Sequence, residues 1–320
     1  MRYLLCLFLS LTSIRLMGDN KWGFFAHQKI NRLAIFTLPP EMIGFYKRHL
    51  QYLTDKSVAP DMRRYVVAEE ASRHYIDLDV YGDSAVYKMP RYWSDAVTMY
   101  SVDTLKTHGI VPYHISSVSY WLINAFGERD AERILRLSAD LGHYIADANV
   151  PLHTTENYNG QLTGQYGIHG FWESRLPELF ADSYDLLTGQ AEYVSDIQLY
   201  AWEGVTNAHE ALDSVLLFEQ QVSNLFSPSK KFGFEEKGQR MMRTYSFEFS
   251  EAYHQKMNGM VERRMRASIK MVGDIWLSCW IKAGQPDLTK LLLGEIPQDS
   301  IAHSNPSKKW RNHESYVEEH

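Results

Sequence analysis

The histidines and carboxylates of the stretch LGHYIADANVPLH, residues 141–153, have a spacing that suits joint chemistry. His143 and Asp147 are four residues apart, and the same spacing recurs further along the chain between His169 and Glu173. Residues four apart lie on one face of a helix, so each pair can address a single point. Imidazole nitrogens and carboxylate oxygens are the ligands that zinc takes in catalytic sites.

A third histidine, His153, lies between the two pairs, so that the full pattern is H-x3-D-x5-H-x15-H-x3-E. A single histidine on an apolar helix face is more often a core side chain bonded to a carbonyl group. A single pair at this spacing is often a surface ion pair. Two such pairs with a histidine between them, all in one short segment, favour a metal site over both alternatives.

Further candidate ligands lie upstream of this pattern. They are Trp22, His27, Asp61, His74, Asp77 and Asp79. Arg64 follows Asp61 by three residues and offers a guanidinium group that could bind a phosphate oxygen. Taken singly, each of these residues would be read as a cap, a turn carboxylate or a surface histidine, and Trp22 as a packing residue.

Taken together, the motifs resemble those of the zinc-dependent phospholipases C and the single-strand-specific zinc nucleases. The matching elements are W-x4-H at 22–27, an aspartate at 61, H-[FY]-x-D at 74–77 and H-x3-D-x5-H…H-x3-[DE] at 143–173. The resemblance runs from Trp22 to about Pro177. It implies an all-helical fold with a metal cleft, and we expect two to three zinc ions per chain.

The resemblance also implies how the ligands are shared. One zinc would take Asp61, His74, His143 and Asp147; a second would take His153, His169 and Glu173; a third would take His27, the backbone of Trp22 and the second oxygen of Asp147. Asp147 would thus bridge a metal pair. The amine of Trp22 could contribute only if that residue begins the mature chain.

The chemistry implied by the resemblance is hydrolysis of a phosphodiester by water that zinc has acidified, since the ion lowers the pKa of that water to roughly 7. Asp61 would orient or deprotonate the water, and Arg64 would bind a phosphate oxygen. Asp77 and Asp79 would support the histidine ligands.

The motifs leave the substrate open between three alternatives. Glu173 and the sequence HYIDLD are typical of the phospholipase C branch, which we favour, with phospholipid or another phosphodiester as substrate. Arg64 is more typical of the nuclease branch, for which single-stranded nucleic acid or a 3'-nucleotide would be the substrate. A non-catalytic zinc-stabilised binding protein is the third alternative. Phe25 and Met62 stand where the phospholipase branch holds choline with a carboxylate and an aromatic ring, so choline is not implied.

The N-terminus predicts export. Arg2 and an apolar run from Leu4 to Ile14 have the form of a signal peptide, approximately residues 1–18, so we expect a secreted or periplasmic protein. Cys6 lies in that segment, which leaves Cys279 without a disulfide partner. The net charge of −6 gives no basic surface for duplex DNA, and no later stretch is long and apolar enough for a transmembrane segment. We expect a monomer.

The elements that must position these residues are helices. Apolar residues recur at helical spacing from residue 22 onward, and the pattern predicts continuous helices over 41–58, 129–150, 195–226 and 246–284. Pro151 is expected to end the helix that carries His143. Alternating strand patterns are not evident. The prediction is a single all-α domain over 19–300, followed by a polar, flexible tail over 301–320.

Overall fold

The helix that carries His143 and Asp147 lies at the centre of the fold. In the computed structural model, which describes residues 24–237 and 240–291, this helix spans Ala131–Ala148. Asp130 caps its first turn by accepting a hydrogen bond from the backbone N–H of Arg133. It ends three residues before Pro151, as the sequence predicts. The predicted signal peptide, Trp22 and the predicted tail lie outside the described residues.

Helices make up most of the described chain, which confirms the all-α class. The first half contains α1 (Phe24–Ala34), α2 (Pro40–Arg48), α3 (Leu50–Lys56), α4 (Ala59–Arg63), α5 (Ala85–Lys88), α6 (Trp93–Tyr100), α7 (Val102–His108), α8 (Val111–Glu128) and α9 (Ala131–Ala148). The second half contains α10 (Ile168–Gly170), a π-helical turn (Phe171–Arg175), α11 (Leu176–Phe180), α12 (Ile197–Ser223), α13 (Pro228–Lys231), strands β1 (Phe232–Lys237) and β2 (Arg240–Tyr245), α14 (Phe247–Lys256) and α15 (Met260–Lys282). Short 3-10 turns lie at Ile35–Thr37, Ala71–Arg73, Leu78–Tyr81, Pro151–Thr154 and Ala181–Ser183.

Helix α9 is surrounded by other helices. It packs against α1, α3, α8, α12 and α15. Fifteen of its residues are buried, among them the polar pair His143 and Asp147. Because a buried charge is costly unless it is paired or binds a metal, this placement by itself demands partners for Asp147.

A glycine lets α1 approach α9 at the level of the candidate ligands. A Cβ atom added at Gly142 would lie 1.8 Å from Oδ1 of Asn31. Asn31 is buried on α1, and its Nδ2 donates to the carbonyl of Ala139. His27 lies one turn earlier on α1. Gly142, beside His143, therefore lets α1 approach α9 closely enough for His27 to reach the candidate metal ligands.

The structure corrects the sequence prediction at three places. The predicted helix over 41–58 is interrupted at His49, and the predicted helix over 246–284 is interrupted after Met257, where Asn258 and Gly259 adopt positive φ. The expected absence of strands is wrong, because β1 and β2 form an antiparallel hairpin. Among the described helices, none combines the length and apolar character needed to cross a membrane.

Candidate metal centre

Four predicted ligands converge from three parts of the chain. Nδ1 of His74 lies 3.0 Å from Nε2 of His143 and 2.9 Å from Oδ2 of Asp147. Nε2 of His143 lies 3.1 Å from the same Asp147 oxygen. Oδ1 of Asp61, on α4, lies 3.7 to 3.8 Å from the two imidazole nitrogens. These atoms form the corners of one small polyhedron.

A second set of three donors converges beside the first. Nε2 of His153 lies 2.9 Å from Nε2 of His169 and 3.1 Å from Oε2 of Glu173. Nε2 of His169 lies 3.0 Å from the same carboxylate oxygen. The i,i+4 pair predicted at 169 and 173 is thus brought together with His153, as predicted.

Asp147 joins the two sets and a further histidine. Its Oδ2 atom belongs to the set with His74 and His143, whereas its Oδ1 atom lies 3.5 Å from Nε2 of His27 and 3.5 Å from Nδ1 of His153. One carboxylate therefore presents its two oxygens to different groups of histidines. This is the arrangement expected of a bridging ligand.

The donor sets fit zinc. Ligand atoms about 2.0–2.1 Å from a tetrahedral ion are about 3.3–3.4 Å from one another, close to the separations seen in both sets. Three groups of His, Asp and Glu atoms lie within 4.8 Å of one another: His27, Asp61 and His143; His74, His143 and Asp147; His153, His169 and Glu173. Nδ1 of His27 is buried and has no hydrogen-bond partner in the described chain. A shared cation would stabilise imidazole nitrogens and carboxylate oxygens that lie this close together.

Backbone carbonyl groups orient two of the histidines. Nδ1 of His143 donates to the carbonyl of Ser57 at 2.8 Å, and Nδ1 of His153 donates to the carbonyl of His74 at 2.8 Å. These bonds place the proton on Nδ1 and leave the Nε2 lone pair aimed at the donor set. Metal-binding histidines are held in this way by their other ring nitrogen.

The charges of the cluster set its protonation. Burial lowers the pKa of His27 to about 4, helped by the charge of His143, so His27 is neutral at pH 7. Burial also opposes a charge on His143, but Asp147 and Asp61 override it and raise its pKa to about 9. Although burial disfavours its charge, nearby histidines hold the pKa of Asp147 well below its usual range. A metal ion would replace the protons that otherwise neutralise the cluster.

A π-helical turn shapes the second set. Helix α10 continues into the turn Phe171–Arg175, and Pro177 follows it in α11. Pro177 has no N–H to offer the carbonyl of Glu173, so the regular i→i−4 ladder cannot continue there. Single π-helical turns of this kind are frequent at functional sites.

The supporting residues differ in part from the prediction. Within the part of the chain that the structure describes, Asp79 has no hydrogen bond to a candidate histidine ligand. Its carboxylate accepts from the Thr155 hydroxyl at 2.6 Å and from the backbone N–H of Glu156 at 2.9 Å. It therefore fixes the loop that follows His153. The Asp77 backbone N–H donates to the carbonyl of His108 at 2.7 Å. Arg64 lies with Nη1 3.6 Å from Oδ1 of Asp61, so the two predicted catalytic residues are neighbours.

Sequence reasoning missed Glu70. Its carboxylate is fully buried and lies 3.8 Å from Nε2 of His74, on the side of the ring that faces away from the donor set. Arg63, Arg73 and the Tyr144 hydroxyl surround the same carboxylate. Glu70 precedes His74 by four residues, so it repeats the spacing of the other two histidine–carboxylate pairs. That spacing was the available signal.

Comparison with known proteins gives a distant match. No family model matches the chain, and no curated protein does. Among solved structures, the chain is similar to the "Alpha Toxin from Clostridium Absonum", with 12% sequence identity and a TM-score of 0.42. The match covers 80% of this chain and 65% of that chain. The function proposed below therefore rests on the residues of the chain itself.

Proposed function

We propose that this chain is an exported zinc-dependent phosphodiester hydrolase of the phospholipase C kind. The observation that carries the proposal is the Asp147 carboxylate, whose two oxygens face different histidine groups within a few ångströms. A site that holds two or more metal ions through a shared carboxylate is suited to phosphate esters, because the ions can bind both the attacking and the leaving oxygen. The resemblance of the motifs to the phospholipase C and nuclease superfamily agrees with this chemistry.

Bound zinc would supply an acidified water and a positive charge for the phosphate oxygens. Asp61 would accept the proton of that water, because its side chain is 24% exposed whereas those of His74 and His143 are fully buried. Burial disfavours its charge, but His143 and His74 hold the pKa of Asp61 below its ordinary value, so it is ionised and able to accept. Arg64, 3.6 Å from Asp61, would orient this carboxylate and donate to a phosphate oxygen.

Access to solvent favours an enzyme over a zinc-stabilised binding protein. Structural zinc sites are closed by four protein ligands, whereas catalytic sites keep a position open. The second set offers only three donors, and its Glu173 side chain is 14% exposed. Asp61 of the first set is partly exposed. Both sets therefore reach the protein surface through a carboxylate.

A zinc nuclease or 3'-nucleotidase is the second candidate, and the placement of Arg64 beside Asp61 favours it. The two functions share their metal chemistry and differ in what the cleft admits. We favour the phospholipase on the resemblance carried by Glu173 and the HYIDLD motif.

The test is a parallel assay of zinc-loaded protein on phospholipid vesicles, a single-stranded oligonucleotide and a chromogenic phosphodiester. We expect hydrolysis of the chromogenic diester and the vesicles, and a rate loss of about a hundredfold or more in Asp61→Asn. Asp55→Asn removes an exposed carboxylate of α3 and serves as the control. Cleavage of the oligonucleotide with intact vesicles would select the nuclease, and no hydrolysis of any substrate would refute the enzyme.

A further inference from the structure

A cavity that opens to solvent adjoins the candidate metal centre, and neither Asp61 nor Arg64 is part of its lining. Helix α1 contributes His27 to its wall, the π-helical turn contributes Trp172 and Glu173, and α15 contributes Arg264. Most of the remaining lining is apolar. A molecule in this cavity would therefore touch ligands of both metal groups together with a cation from the last helix.

Polar atoms in the lining lack partners. Nη1 of Arg264, Nε1 of Trp172 and Oδ1 of Asn149 are all buried, and none has a hydrogen-bond partner in the described part of the chain. Two of these three atoms are N–H donors. Buried donors are almost always satisfied in folded proteins, so their shared cavity indicates an occupant with acceptor oxygens.

Arg264 differs from Arg266 and Lys270, which lie on the same helix and have ion pairs. Arg266 pairs with Asp185, and Lys270 pairs with Asp274 at 2.7 Å. Arg264 has no ion pair within residues 24–237 and 240–291, although its side chain is largely covered. Burial lowers the pKa of Arg264, the charge of Arg263 lowers it further, and the charge of Glu210 offsets this only in part. An anionic ligand would stabilise the cation further.

We propose that this cavity is a specificity subsite in which Arg264 and the Trp172 N–H bind a second anionic group of the substrate, of the phosphate monoester type. The inference rests on the proposed function and adds a substrate class to it. A guanidinium group binds phosphate through paired, charge-assisted hydrogen bonds, and the indole N–H adds a donor from another direction. Phosphodiesters that carry a further phosphate are preferred over those with a cationic or neutral arm.

The first test measures binding. Zinc-loaded protein is titrated with glycerol 3-phosphate in a calorimeter, with glycerol as the uncharged comparison. Arg264→Met should weaken glycerol 3-phosphate binding about tenfold to a hundredfold, as expected for the loss of charge-assisted bonds. Arg264→Lys should restore part of the affinity, and Trp172→Phe, which removes only the N–H, should weaken it severalfold. Arg263→Met, an exposed charge on the same turn, is the matched control and should bind like the wild type.

The second test measures selectivity with two soluble diesters that share a chromogenic leaving group. One has an arm that ends in a hydroxyl group, and the other has an arm that ends in a phosphate. The wild type should prefer the phosphorylated diester in kcat/KM, mainly through KM, and Arg264→Met should abolish that preference. Arg263→Met should keep it.

The outcomes separate the two proposals. Hydrolysis of both diesters with an unchanged preference and unchanged glycerol 3-phosphate binding in Arg264→Met would overturn the subsite and leave the proposed function intact. Binding that depends on Arg264 in a protein that hydrolyses neither diester would support the subsite and refute the phosphodiesterase. Equal affinities of the wild type for glycerol and glycerol 3-phosphate would also refute the subsite.

Discussion

The buried carboxylate of Glu70 should tune the metal centre through His74. His74 offers Nδ1 to the donor set, so its Nε2 carries the ring proton and lies 3.8 Å from Oε1 of Glu70. A carboxylate behind a metal-binding imidazole fixes its orientation and raises its basicity. Glu70→Gln keeps the shape of the side chain and removes the charge.

The expected effect on zinc follows from what such partners contribute. Loss of a residue that supports a ligand typically costs tenfold to a hundredfold in metal affinity, which is about 1.4–2.7 kcal/mol. Fold stability should fall as well, since Glu70 also compensates Arg63 and Arg73. The loss in free energy of unfolding should be about 1–2 kcal/mol. It stays small because both arginine side chains are about 30% exposed and Arg63 also donates to Asp140 at 3.0 Å.

The assay is a competition titration of metal-free protein against a chromogenic zinc chelator, with thermal unfolding measured in both states. We expect Glu70→Gln to lower zinc affinity at the site of His74 and to reduce the zinc-dependent rise in melting temperature. Glu69→Gln, an exposed neighbour with the same change of charge, should behave like the wild type. An equal loss of melting temperature in the metal-free and zinc-loaded states, with unchanged zinc affinity, would show that Glu70 only supports the fold.

Three further changes probe the centre. Asp147→Asn should lose at least one zinc ion by elemental analysis and lower the hydrolysis rate about a hundredfold or more, because one carboxylate serves two donor groups; full zinc content would contradict the bridge. A strong chelator should abolish hydrolysis and lower the melting temperature, with zinc restoring both; activity that survives complete zinc removal would refute the metal mechanism. Gly142→Ala should cost about 1–3 kcal/mol in urea unfolding, because its Cβ would clash with the Asn31 side chain; an unchanged midpoint would show that α1 can move away freely.

The pairs of candidate ligands could be predicted from sequence because their signal is local. His143 with Asp147, and His169 with Glu173, each lie one helical turn apart, so spacing alone puts each pair on one face. The end of α9 before Pro151 follows equally locally, since proline cannot continue a helix. The convergence of the two groups on Asp147 depends on packing between α1, α4 and α9, and here the resemblance to a known superfamily supplied what spacing could not.

The hairpin could not be predicted in this way, because it is stabilised by distant residues. The ring of Phe171 stacks on Tyr245 at 3.9 Å, and Arg175 bonds to Glu235 and to the Tyr245 carbonyl. These contacts join β1 and β2 to the π-helical turn that carries Glu173. The strands therefore form where the chain returns to support a candidate metal ligand, a tertiary effect that no local pattern contains.

The role proposed for Arg264 could not be predicted from the sequence either. In the sequence it belongs to a basic run, ERRMR, that is typical of a solvated helix face. Asn258 and Gly259 break the predicted helix, and in α15 Arg263 is exposed whereas Arg264 lines the cavity. The residue proposed to select the substrate thus lies in a helix that begins at a break which the sequence pattern does not show.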